Sequence, residues 1–174
     1  ADIREASPDY ADAGRAEHQV RNDPNGESSA KLYMQFTLPR DFHTAVSASF
    51  NIVRTHVGVS GTTYSLYGIT DPGWNTSWMP NVITWNNAPA NDPNSGSGFL
   101  ASETEWVGNF QAIGENPTNP EGQPGFEFKI SSAELLSFLN NDTDREIQLM
   151  LSREGISTSS DLFAASEYAE KEPP

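Results

Sequence analysis

The chain has 174 residues, 36% of them hydrophobic and 10% aromatic, which suits one domain with a real core and argues against global disorder. With 24 acids against 10 bases, its formal net charge of −14 should repel nucleic acid and anionic lipid. It contains no cysteine, which excludes disulfides, thiol catalysis and thiolate metal sites and leans towards an exported protein.

The chain begins Ala1-Asp2-Ile3 without a Met, as a mature or excised fragment would, and shows no signal peptide and no apolar run of membrane-spanning length. From Leu32 to Leu38 the residues alternate: Leu32, Met34, Phe36 and Leu38 point one way, and Tyr33, Gln35 and Thr37 the other. This is a half-buried strand ended by Pro39. A second strand is expected from Val46 to Val57, with Val46, Ala48, Phe50 and Ile52 on its inner face. A turn over 58–62 leads to a strand through Tyr64, Leu66, Tyr67 and Ile69, which stops at the turn signal Asp71-Pro72-Gly73.

The middle of the chain is loop-rich, with Val82-Ile83-Thr84-Trp85 reading as a short strand inside it. Trp106, Val107 and Phe110 indicate another strand, and a punctuated loop over 116–125 precedes the strand Phe126–Ile130. One helix is expected. Ser131 and Glu134 have capping-box spacing, Leu135, Leu136, Phe138 and Leu139 follow at helical spacing, and Asn140-Asn141-Asp142 stops it. Strands at Glu146–Leu151 and Leu162–Ala165 come last. The expected fold is an all-β, antiparallel β-sandwich of jelly-roll type with one short helix near 131–141, in a single domain over 1–174.

The stretch from Trp74 to Pro89, with Trp74, Trp78 and Trp85 among turn formers, resembles the W…ITWNNAP signature of the DNRLRE-type β-sandwich domain. That family overlaps an alginate-binding carbohydrate-binding module family. The likeness runs on through Ala1–Arg4, Val20-Arg21, Lys31–Leu38 (similar to a KAYLKFDL strand), Ser152-Arg153-Glu154 with Phe163–Glu167, and Glu172-Pro173-Pro174. It implies a sandwich whose closing strand lies beyond Pro174 and is missing here, and a polysaccharide as ligand. Members that hold anionic polysaccharide use bases around the KAYLKF strand, because carboxylates need cationic partners. Here Ala30 and Gln35 stand where a base would be usual, with only Arg21 and Lys31 nearby, which makes the chain a poor polyuronate binder.

Three indoles on one loop either stack on sugar faces or fill the end of the sandwich, and the packing reading is favoured. Tyr33, on the outward face of its strand, is the better stacking candidate. Arg21, Lys31, Arg54 and Arg153 are candidates for an anion-binding face, against the alternative of solvated or salt-bridged side chains.

His18, His43 and His56 lack ligand spacing, and no G-x-S-x-G elbow occurs. Carboxylate pairs such as Glu103 with Glu105, or Glu167 with Glu170, arise by chance among 24 acids, so no enzyme is expected. No cofactor is certain. Oxygen-rich turns at Asp9–Asp12 and Asn22–Asn25 make a structural calcium conceivable, without placing it.

Two functions fit. One is a non-catalytic, secreted or cell-surface carbohydrate-binding module that holds a polysaccharide through one sheet face at Arg21, Lys31, Tyr33, Arg54 and Arg153, with no nucleic acid and no membrane insertion. The other is a self-assembling fibre, sheath or surface-layer subunit, in which copies of the chain complete one another's sheets by strand addition.

Overall fold

In the computed structural model the residues described are 1–11, 15–56, 60–70, 81–112 and 126–164. The expected turns at 58–59 and Asp71–Gly73, the residues Asp12, Trp74 and Trp78, the loop over 116–125, and Ala165 through Pro174 lie outside them.

Nine strands and one helix are found among the described residues: β1 (Asp2–Arg4), β2 (Glu17–Val20), β3 (Ala30–Thr37), β4 (Phe50–His56), β5 (Thr62–Ile69), β6 (Thr104–Ala112), β7 (Phe126–Ile130), α1 (Ala133–Asn141), β8 (Glu146–Arg153) and β9 (Asp161–Ala164). They form two antiparallel sheets. Sheet A runs β1-β3-β8-β5-β6, and sheet B runs β2-β9-β4-β7. Without β1, the order β3-β8-β5-β6 over β2-β9-β4-β7 is that of a jelly roll, and β1 extends the free edge of β3.

Period-two alternation builds the core between the sheets. Leu32 from β3, Ile147, Leu149 and Leu151 from β8, Tyr64 and Leu66 from β5, and Phe50, Ile52 and Phe163 from sheet B are all buried there. Aromatic rings knit one end of it. Tyr64 stacks on Phe110 at 5.1 Å between centroids and meets Phe163 edge-on at 5.2 Å. Gly68 faces the buried ring of Phe138, which a Cβ there would meet at 2.3 Å, so α1 can seat against sheet A only over a residue without a side chain.

Three expectations need correction. β4 begins at Phe50 rather than Val46, whose side chain is 95% exposed, since the chain before Phe50 is irregular. Residues 82–85 form turns and no strand: Asn87 folds back so that its side chain accepts from Thr84 N (2.6 Å) and donates to Val82 O (3.2 Å). The helix is capped one residue later than the capping-box spacing predicts. Ser132, in extended conformation, accepts from Leu135 N at 3.0 Å, while the Ser131 hydroxyl donates to Ala48 O at 3.0 Å. Ser132→Ala is therefore expected to lower stability by about 1 kcal/mol, read as a lower urea midpoint, whereas Ser131→Ala leaves the cap intact.

β6 carries a bulge that decides what its residues face. Register runs Thr62↔Ala112 to Leu66↔Gly108, then shifts so that Tyr67 opposes Trp106. Val107 and Gly108 together oppose Leu66, and Gly108 adopts φ +153°, with Ile130 so close that a Cβ would meet its Cγ2 at 2.5 Å. Trp106 shares even numbering with the core residues Phe110 and Ala112. A regular strand would have turned it inward; the bulge turns it out.

Candidate functional site

The outward face of β3 and β8 is not open. Residues 81–103 fold over it and build a second apolar cluster from Ile3, Tyr33, Ile83, Trp85, Ala88, Ala90 and Met150. Lys31 is the hub of this cover. Its side chain is fully buried, and Nζ donates to Asn91 Oδ1 (2.7 Å), Asp92 O (3.2 Å) and Gly98 O (2.6 Å). The ammonium also sits 4.6 Å from the Trp85 ring centroid and 5.0 Å from that of Phe99. Burial pushes Lys31 down to about 7, against the pull of Asp92 and Glu5.

The covering loop closes on itself around that hub. Asn91 Nδ2 donates to Trp85 O (2.7 Å), Trp85 Nε1 to Pro93 O (3.1 Å), and Asn86 Nδ2 to Asp9 Oδ1 (2.8 Å). Tyr33 points outward, as its alternation predicts, but lies wholly buried beneath the loop, with its hydroxyl donating to Pro89 O at 3.0 Å. Burial raises its pKa well above 10, which keeps the donor proton in place. Its expected exposure is corrected: a ring covered by Phe99 and Pro89 offers no face to a sugar.

Arg54 and Arg153 lie elsewhere, inside the sandwich. Arg153 Nη1 donates to Asp161 Oδ2 (3.1 Å) and Ser159 O (2.9 Å), and Nη2 to Thr62 Oγ1 (3.2 Å). Fully buried Arg54 approaches the other Asp161 oxygen at 3.5 Å, with its guanidinium 5.2 Å from the Phe128 centroid. Both are anchors of the core and reach no surface. Arg21 is half-buried where β2 meets β3, paired with Asp23. The five expected residues thus occupy three separate places and do not make one face.

Among the described residues three acids (Asp2, Asp23, Asp161) and three bases (Lys31, Arg54, Arg153) are buried, so this burial leaves the acid excess unchanged. The loop leaves the β5–β6 side of sheet A partly open. There Trp106 is 42% exposed, in contrast to Trp85 at 2%.

The model of carbohydrate-binding module family 96 matches residues 3–108. The chain belongs to this family. No curated protein matches the chain. The family match spans β1 through the bulge of β6, including Lys31, the covering loop and Trp106. The family 96 sandwich is completed by β7, α1, β8 and β9, which lie beyond the matched segment.

The two sheets of this family 96 module are also joined at their edge. Asp2 of β1 is fully buried; its carboxylate pairs with His18 Nδ1 of β2 at 2.9 Å and accepts from Arg4 Nε at 2.7 Å. Burial pushes the Asp2 carboxyl up, but the hydrogen bonds from His18 and Arg4 outweigh it and hold the group below 3.8. A depressed carboxyl contributes stability that is present above the unfolded value of about 3.9 and is lost as pH falls through the lower folded value. Asp2→Asn is therefore expected to lower the urea midpoint at neutral pH and to flatten its fall in the acid range.

Among the described residues no group of three or more His, Asp or Glu side chains is placed to hold a metal ion, and no helix is long and apolar enough to cross a membrane.

Proposed function

We propose that this chain is a non-catalytic, secreted or cell-surface module that holds a neutral polysaccharide. The family 96 match carries the reading. The geometry adds the preference for an uncharged ligand. Lys31, Arg54 and Arg153 are buried, and Arg21 is paired with Asp23, so the bases that would meet a uronate carboxylate are engaged within the fold. A surface with an excess of acids repels polyuronates and leaves hydrogen bonding and stacking as the means of holding sugar.

Affinity electrophoresis of the purified chain tests this. Retardation is expected in gels containing barley β-glucan or galactomannan, with none in alginate and no release of reducing ends. Retardation in none of the gels, or turnover of any polysaccharide, would overturn the reading.

A further inference from the structure

We propose that the outer edge of sheet A, at Trp106, Asn109 and Gln111 of β6 with Thr63 and Tyr67 of β5, is the docking strip for consecutive neutral pyranose units. This rests on the reading of the chain as a polysaccharide-binding module.

Cross-strand pairing fixes the strip. Tyr67 opposes Trp106, Ser65 opposes Asn109, and Thr63 opposes Gln111. Tyr67 belongs with the cluster on the outer face, while Tyr64, Phe110 and Ala112 fill the core, so all these pairs present their side chains outward. On one face of a strand such residues recur about every 7 Å. An exposed indole is followed by exposed Asn109 and Gln111, an order that offers a flat apolar surface and then amide donors and acceptors. A pyranose presents the complement, a C–H face and a rim of hydroxyls.

The indole's exposure is built. The Val107–Gly108 bulge reverses its side, and holding it there needs a glycine at φ +153° packed against Ile130. Turning a large apolar side chain outward forgoes roughly 2–3 kcal/mol of burial. Among the described residues β6 is the last strand of sheet A, so a long chain can lie along it at the sheet's edge. Among the described residues, carboxylates adjoin the strip. Glu103 lies just before β6, and Glu154 accepts from Ser65, so the local charge disfavours a uronate.

The test is affinity electrophoresis in β-glucan, galactomannan and alginate gels with wild type, Trp106→Ala, Trp106→Phe and Lys129→Ala, the last an exposed residue of β7 in the other sheet. Trp106→Ala is expected to weaken binding of the neutral polymer about tenfold, as the loss of one ring contact implies, with an unchanged melting temperature. Trp106→Phe should retain part of the binding, Lys129→Ala all of it, and soluble oligosaccharide should alter the tryptophan fluorescence of wild type more than that of Trp106→Phe. Unchanged binding by Trp106→Ala, or loss confined to Lys129→Ala, would overturn the docking strip and leave polysaccharide binding standing. No retardation of wild type in any gel would overturn both.

Discussion

Asp161→Asn is expected to destabilise the protein by roughly 3–5 kcal/mol, a large share of the stability of an ordinary domain. The Asp161 carboxylate is fully buried and stands between two buried guanidinium groups, at 3.1 Å from Arg153 Nη1 and 3.5 Å from Arg54 Nη1. Asparagine keeps the shape and removes the charge, which leaves two cations in the interior of the sandwich. Arg54 suffers most. Its guanidinium has no hydrogen bond among the described residues, and beyond Asp161 the Phe128 ring is its electrostatic partner. Urea unfolding is the measurement. A double variant gives the sharper result: Arg54→Met in the Asp161→Asn background should recover part of the loss, because it removes a charge that no longer has an anion. Additive losses would show that the two side chains are not energetically coupled.

Lys31→Met is expected to release the covering loop over sheet A. Methionine removes a desolvated charge, which by itself favours folding. It also leaves Asn91 Oδ1, Asp92 O and Gly98 O without their donor and Trp85 and Phe99 without their cation. Each buried acceptor left unpaired costs about 1–3 kcal/mol, so the loss prevails. The readout is local: limited proteolysis should cut between 81 and 103 well before the strands unfold, while wild type resists. The pH dependence has a definite sign. Lys31 is held at about 7 in the folded protein. An unfolded lysine titrates at about 10.4, so between these values unfolding takes up a proton and stability contributed at this site rises with pH. Lys31→Met should remove that rise. A loop that stays protected in the variant would show that the apolar cluster alone holds it.

Most of the sandwich is legible from local patterning. The alternation of Leu32, Met34 and Phe36 places β3, the turn residues separate β4 from β5, and the apolar spacing of Leu135 and Phe138 marks the single helix. Burial of Trp85 agrees with the packing reading of its loop. The site is less legible for two physical reasons. Alternation tells which side of a sheet a residue takes but not whether something covers that side, so Tyr33 and Lys31 read as surface residues although residues 81–103 lie over them. Alternation also presumes a regular strand. The sequence signal for the bulge is one glycine, Gly108, in a strand of otherwise good formers, and without it Trp106 counts as inward. Arg54 is illegible for a third reason: its partner Asp161 lies more than a hundred residues away and meets it across sheet B.

The extra residue in β6 separates two design problems that a regular strand would tie together. Pairing with β5 resumes on both sides of it, and Val107, Phe110 and Ala112 all face the core. Beyond it the parity of every side chain is reversed. A single-residue insertion or deletion there would therefore exchange the inward and outward side chains of Thr104–Trp106, while the stretch from Phe110 to Ala112 keeps its facing. What this edge strand displays is thus set by its length as well as by its side chains.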